Sequence, residues 1–108
     1  MSDTVYLIKN IEDYGKLMAY CIDHDISVWR TYWDESAKGT IGYHIDWQQK
    51  RCFYCKISYW KGDNIDNKVY NVVEPIFSFD KYGKVEITYQ HEDKGENKWK
   101  LKNCLMIF

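Results

Sequence analysis

Two cysteines three positions apart, in the stretch Arg51-Cys52-Phe53-Tyr54-Cys55, are the residues of this chain best suited by type to hold a metal or run thiol chemistry. A C-x2-C pair supplies half of a tetrahedral zinc site and is the core of a dithiol redox motif. In a zinc knuckle, however, the pair flanks a tight turn that lets both thiolates converge on one ion. Here Phe53 and Tyr54 stand between them, inside a strand-like run, and a strand points positions 52 and 55 to opposite faces. Cys55 aligns with Phe53, Ile57 and Tyr59, and Cys52 with Tyr54, Ser58 and Trp60. The other thiols, Cys21 and Cys104, lie on a helical stripe and in a terminal strand. All four are expected to be reduced and packed as small apolar residues. No metal and no cofactor is expected.

Three further groupings carry chemical side chains. Asp23-His24-Asp25 places two carboxylates and an imidazole at a helix-to-strand junction, and His44 and Asp46 share the polar face of a strand. An active site built on His24, His44 and His91 would require a helix end, a mid-strand and a strand end to converge. With no nucleophile elbow and no phosphate-cradling glycine loop, the chain is not expected to be an enzyme. Lys98, Lys100 and Lys102 alternate on one face of the last strand, where they either touch phosphate or protect an exposed edge from pairing.

The elements that position these groups follow from periodicity. Thr4 to Lys9 is a β-branched and aromatic run, a first strand. Asn10 then caps a helix whose residues Ile11, Tyr14, Leu17, Met18, Cys21 and Ile22 form one apolar stripe to about residue 23. Ile26 to Trp33 has strand composition. Thr40 to Trp47 alternates cleanly, with Ile41, Tyr43, Ile45 and Trp47 on one side, and Arg51 to Trp60 returns as its hairpin partner. Further strands are expected at 68–73, 76–79, 84–90 and 98–108, with the ladder broken at Glu74-Pro75 because proline cannot donate to it. The reading is an α+β fold: one N-terminal helix packed on a curved, mostly antiparallel sheet of six or seven strands, in a single domain over 1–108.

Composition narrows the function classes. The chain has 108 residues, 15 basic and 16 acidic, and a formal charge of −1, which excludes the dense positive field of a non-specific duplex binder. Nothing in it reads as a membrane span or a basic signal segment, so a cytoplasmic protein is expected. The unusual quantity is its ring content, 10 Tyr, 5 Trp and 4 Phe. A helix of about 20 Å shields only three or four strands at their ~4.8 Å spacing, so the remaining rings either fill a curled sheet or stay at the surface. Trp29, Tyr32, Trp33, Tyr54, Tyr59, Trp60 and Tyr70 are the surface candidates, and strand phase favours Trp33, Tyr54 and Trp60.

In its length, its richness in Asn, Lys, Asp and Tyr and its lack of a catalytic motif, the chain resembles small proteins encoded by bacteriophages and mobile elements of low-GC bacteria, anti-CRISPR inhibitors among them. The resemblance is one of class, carried by composition, and assigns no residue roles. It implies a non-catalytic inhibitor in the host cytoplasm that docks on a protein partner such as a defence nuclease or its RNA-guided complex. Asp23, Asp25, Asp34 and Glu35, bunched within thirteen positions, are then expected to stand in for phosphates against a basic cleft. The alternative is a single-stranded nucleic-acid binder using exposed rings and the lysine stripe, and a bare aromatic face can also be closed by a second copy of the chain.

Overall fold

The structure is a computed structural model that describes residues 3–63 and 68–89. The expected last strand, with Lys98, Lys100, Lys102 and Cys104, and also His91, lies outside the described residues.

Helix α1 spans Ile11–Asp23. At its start the Asn10 side chain accepts a hydrogen bond from the Asp13 amide at 2.8 Å, satisfying one of the amides left over in the first turn. At its end Asp25 takes a left-handed conformation, φ 60°. The amides of Asp25 and Ile26 then reach back to the carbonyls of Ile22 and Cys21, at 3.2 and 2.8 Å. This is the Schellman arrangement, with aspartate where glycine usually stands and the accompanying apolar contact made by buried Ile26 and Cys21. Of the apolar stripe, Leu17 and Cys21 are fully buried, whereas Ile11 and Ile22 at its two ends are 54% and 64% exposed.

Strands β1 (Thr4–Leu7), β2 (Ile41–Asp46), β3 (Arg51–Lys56) and β4 (Asn71–Val73) form one sheet in the order β3-β2-β1-β4. β2 pairs antiparallel with both β1 and β3, but β4 pairs parallel with β1. Strands β5 (Ile76–Phe79) and β6 (Val85–Thr88) form a separate antiparallel hairpin. Two sheets of four and two strands thus replace the expected single sheet among the described residues. The break falls at Glu74-Pro75, where the ladder loses a donor. The hairpin turns through Asp80, whose carboxylate accepts the Tyr82 and Lys84 amides, and Gly83 at φ 82°.

The helix lies on one face of the four-stranded sheet. Leu17, Cys21, Ile8 and Ile26 meet Tyr43, Ile45 and Cys52 in the core, and Phe77 and Ile87 of the hairpin pack against the same cluster. The segment Ile26–Trp33 is not the strand its composition suggests. It pairs only at Ser27, which bridges the outer edge of β3 through Ser27 N to Lys50 O and Cys52 N to Ser27 O. Beyond Ser27 it turns, with the Thr31 amide and hydroxyl both donating to the Val28 carbonyl and Arg30 at φ 79°. A positive φ takes a non-glycine residue out of the extended region, so the ladder stops there.

On the opposite face the sheet is closed by Trp60. A Cβ placed on Gly42 would come within 2.5 Å of Val5 Cγ1, 2.9 Å of Ile57 Cδ1 and 3.0 Å of Trp60 Cδ1. All three neighbours press on a position where only hydrogen fits. Gly42→Ala is therefore expected to destabilise the protein by about 1–3 kcal/mol, the range of overpacked cores, in urea denaturation. Asp25→Gly removes a left-handed L-residue from the helix terminus and is expected to raise the urea midpoint, while Asp25→Val lowers it.

Candidate docking surface

The register of β2 and β3 resolves the cysteine pair. Cys52 stands opposite Ile45 and Cys55 opposite Gly42, so the two thiols fall on opposite faces of the sheet. Cys52 is buried against Cys21 of the helix. The hydrogen bond to Cys21, together with burial, pushes the Cys52 thiol up from its ordinary value. Among the described residues no group of three or more His, Cys, Asp or Glu side chains is placed to hold a metal. His24 packs on Tyr20 and Trp47 on the helix side, at 4.3 and 5.5 Å between ring centres, whereas His44 faces Trp60 and Tyr70 on the other side.

The four carboxylates do not form one patch. Asp23 pairs with Lys84 at 3.6 Å, and Asp25 is the left-handed residue of the helix terminus. Asp34 caps the short 3-10 turn Glu35–Ala37, accepting from the Ser36 amide and hydroxyl at 3.1 and 2.7 Å. Glu35 accepts from Trp33 Nε1 at 2.8 Å and pairs with Lys38 at 2.9 Å, which together hold its carboxyl below the ordinary range. Trp33 rests on Tyr14 near the helix start. Asp23 lies nine residues further along the helix, about 13 Å at 1.5 Å per residue. Close in sequence, the two pairs stand toward opposite ends of α1 because the chain between them runs back along the helix, Thr31 meeting Met18 and Trp33 meeting Tyr14.

The rings divide likewise. Tyr43 is buried and central, with Tyr54 stacked on it at 6.0 Å and 26° and Tyr14 tilted on it at 5.8 Å. Trp33 extends this group from Tyr14, and Tyr32 meets Tyr54 edge-on at 5.3 Å. Trp33 and Tyr54 are half-buried members of this stack. Trp60 corrects the strand-phase reading outright: it is 4% exposed, with Nε1 donating to the Gly42 carbonyl at 2.9 Å. β3 ends at Lys56, and the helical turn that follows, including Tyr59–Asp63, carries Trp60 onto the Gly42 side.

The rings that do face solvent are Trp29, 71% exposed, and Tyr32, 56% exposed. They sit on the turn between Ser27 and Trp33, which is pinned at one end by the bridge to β3. At the other, Tyr43 Oη donates to the Tyr32 carbonyl at 3.1 Å. Arg30 lies over the Trp29 ring at 4.4 Å. Trp47, Phe79 and Tyr82 are also exposed and were not singled out by periodicity. Trp47 lies on the helix side, as alternation with Ile41, Tyr43 and Ile45 predicts, but β2 ends at Asp46, whose carboxylate turns the chain by accepting the Gln48 and Gln49 amides, and Trp47 is left at the rim against Tyr20 and His24.

Comparison with known proteins finds no matching family model, no similar curated protein and no similar solved structure. No helix among the described residues is long and apolar enough to cross a membrane.

The placement of the thiols predicts their reactivity. Brief alkylation of the native protein followed by peptide mapping is expected to label half-buried Cys55 well before Cys21 or Cys52, which react only as the protein unfolds.

Proposed function

We propose that this chain is a non-catalytic binding module that docks a partner protein through the turn from Ser27 to Trp33. The observation that carries the proposal is the pairing of exposure with fixation: Trp29 and Tyr32 face water on a backbone held by hydrogen bonds at both ends. Large rings of this kind bind at low entropic cost, since their ordering precedes association. Arg30 on Trp29 adds the third residue type enriched at binding hot spots.

The class resemblance in composition supports a bacterial defence nuclease, or its RNA-guided complex, as the partner, with steric blockade as the mechanism. In that reading Asp34 and Glu35 lie beside the rings and face the basic rim of the partner's cleft. Asp23 and Asp25 serve the helix end instead. Docking through rings, with carboxylates at the border, therefore takes the place of a single phosphate-like acidic patch.

The test is affinity capture from a bacterial lysate with the wild-type chain and with the double variant Trp29→Ala/Tyr32→Ala. The wild type is expected to retain a protein at stoichiometric level after nuclease treatment, and the double variant to lose at least about tenfold in affinity for it. Asp23→Lys, remote from the turn, is expected to leave capture unchanged. An identical partner set for the double variant, or capture abolished by nuclease, overturns the proposal.

A further inference from the structure

The face of the sheet away from the helix carries a second group of rings that the docking turn does not use. Trp60 forms its floor, with Tyr70, Tyr59 and His44 around it at 4.8, 5.2 and 5.7 Å between ring centres. His44, Tyr59 and Tyr70, with Phe53 of β3, line a cleft of about 250 Å³ whose polar wall is Asp46, Gln49 and Lys68. A neighbouring cleft of about 220 Å³ shares His44, Asp46 and Lys68 with it. At the margin the Arg51 guanidinium lies 4.9 Å from the Phe53 ring centre and the Lys68 ammonium 5.8 Å from that of Tyr70.

Three features define what fits. The lining rings favour a flat aromatic ligand. The His44 ring has Nδ1 2.8 Å from the Thr4 carbonyl, and because a carbonyl only accepts, Nδ1 carries the hydrogen. In the neutral tautomer this leaves Nε2 as an acceptor, suited to an N–H on the ligand. Arg51 and Lys68 lie over Phe53 and Tyr70 at the margin, two cations that an anionic group on a guest can approach. Of the carboxylates that line the two clefts among the described residues, Asp46 accepts two backbone amides at 3.0 Å, and Asp3 pairs with Lys68 at 3.6 Å. That last pair is exposed, and pairs of this kind are weak.

We propose that this cleft binds a nucleobase bearing phosphate, with the base between Phe53, Tyr59 and Tyr70, an amino group donating to His44 Nε2, and the phosphate directed toward Arg51 and Lys68. Free nucleotides and unpaired bases of a single strand share this chemistry. The site stands on the sheet face opposite the rings of the docking turn.

The test is a titration of the folded chain with AMP, CMP, adenosine and an eight-nucleotide single strand, followed by calorimetry and by the His44 ring resonances in NMR. AMP and CMP are expected to shift those resonances, and adenosine to bind at least about fivefold more weakly than AMP. A strand that binds at least tenfold tighter than AMP identifies single-stranded nucleic acid as the source, and comparable affinities identify the free nucleotide. Phe53→Ala is expected to weaken binding at least about tenfold. Lys68→Ala, at an exposed position that leaves the fold intact, reduces the advantage of AMP over adenosine, and Trp29→Ala leaves binding unchanged. Unmoved His44 resonances at millimolar nucleotide and saturating strand overturn the proposal, as do an equal response to a trimethyllysine peptide and loss of binding in Trp29→Ala.

Discussion

Trp60 reaches the backbone of β2 because residue 42 has no side chain. That close approach is the constraint on which the outer half of the molecule rests. An indole sealed at this point supplies the floor against which His44, Tyr59 and Tyr70 pack, and its buried ring N–H finds an acceptor in the Gly42 carbonyl. The sheet consequently has two apolar faces. One is covered by α1 and the β5–β6 hairpin, the other by a plug of rings supplied from the segment after β3. A single short helix suffices because it has only one of those faces to cover.

The helix face is organised around Tyr43. Burial pushes its phenol well above the ordinary value, and the hydroxyl spends its hydrogen bond on the carbonyl of Tyr32 rather than on water. This links the innermost ring of the core to an exposed turn. Trp29 and Tyr32 are presented by a backbone whose position is set from beneath.

The elements written as long, strongly periodic runs were legible in the sequence. Asn10 and the stripe ending near Asp23 gave the helix, the alternation from Ile41 gave β2, and opposite-facing cysteines gave the answer to the C-x2-C question. What failed was the inference that carried β3's phase beyond its end. Trp60 comes after a helical turn, so parity counted from β3 no longer applied to it, whereas Trp47, one residue past β2, keeps to the helix side with Tyr43 and Ile45. Ile26–Trp33 has the composition of a strand, yet local hydrogen bonds from Thr31 and the left-handed Arg30 compete with pairing. The acidic cluster was visible as residue types, but its division between the ends of α1 depends on the reversal of the chain along the helix. The parallel pairing of β4 is a long-range choice that no local pattern records.

That pairing has a consequence for how the molecule comes into being. β1 begins at Thr4 and receives β4, residues 71–73, along one of its edges. During synthesis the first strand emerges, and its hairpin neighbours follow, long before its other flank exists. Until translation passes Val73 the nascent chain therefore carries a β1 edge with unpaired amides and carbonyls, and closing it requires one of the longest loops in the molecule. Assembly of the four-stranded sheet is in this sense a late, length-gated event, and the interval before it is when the chain is most open to adventitious strand partners.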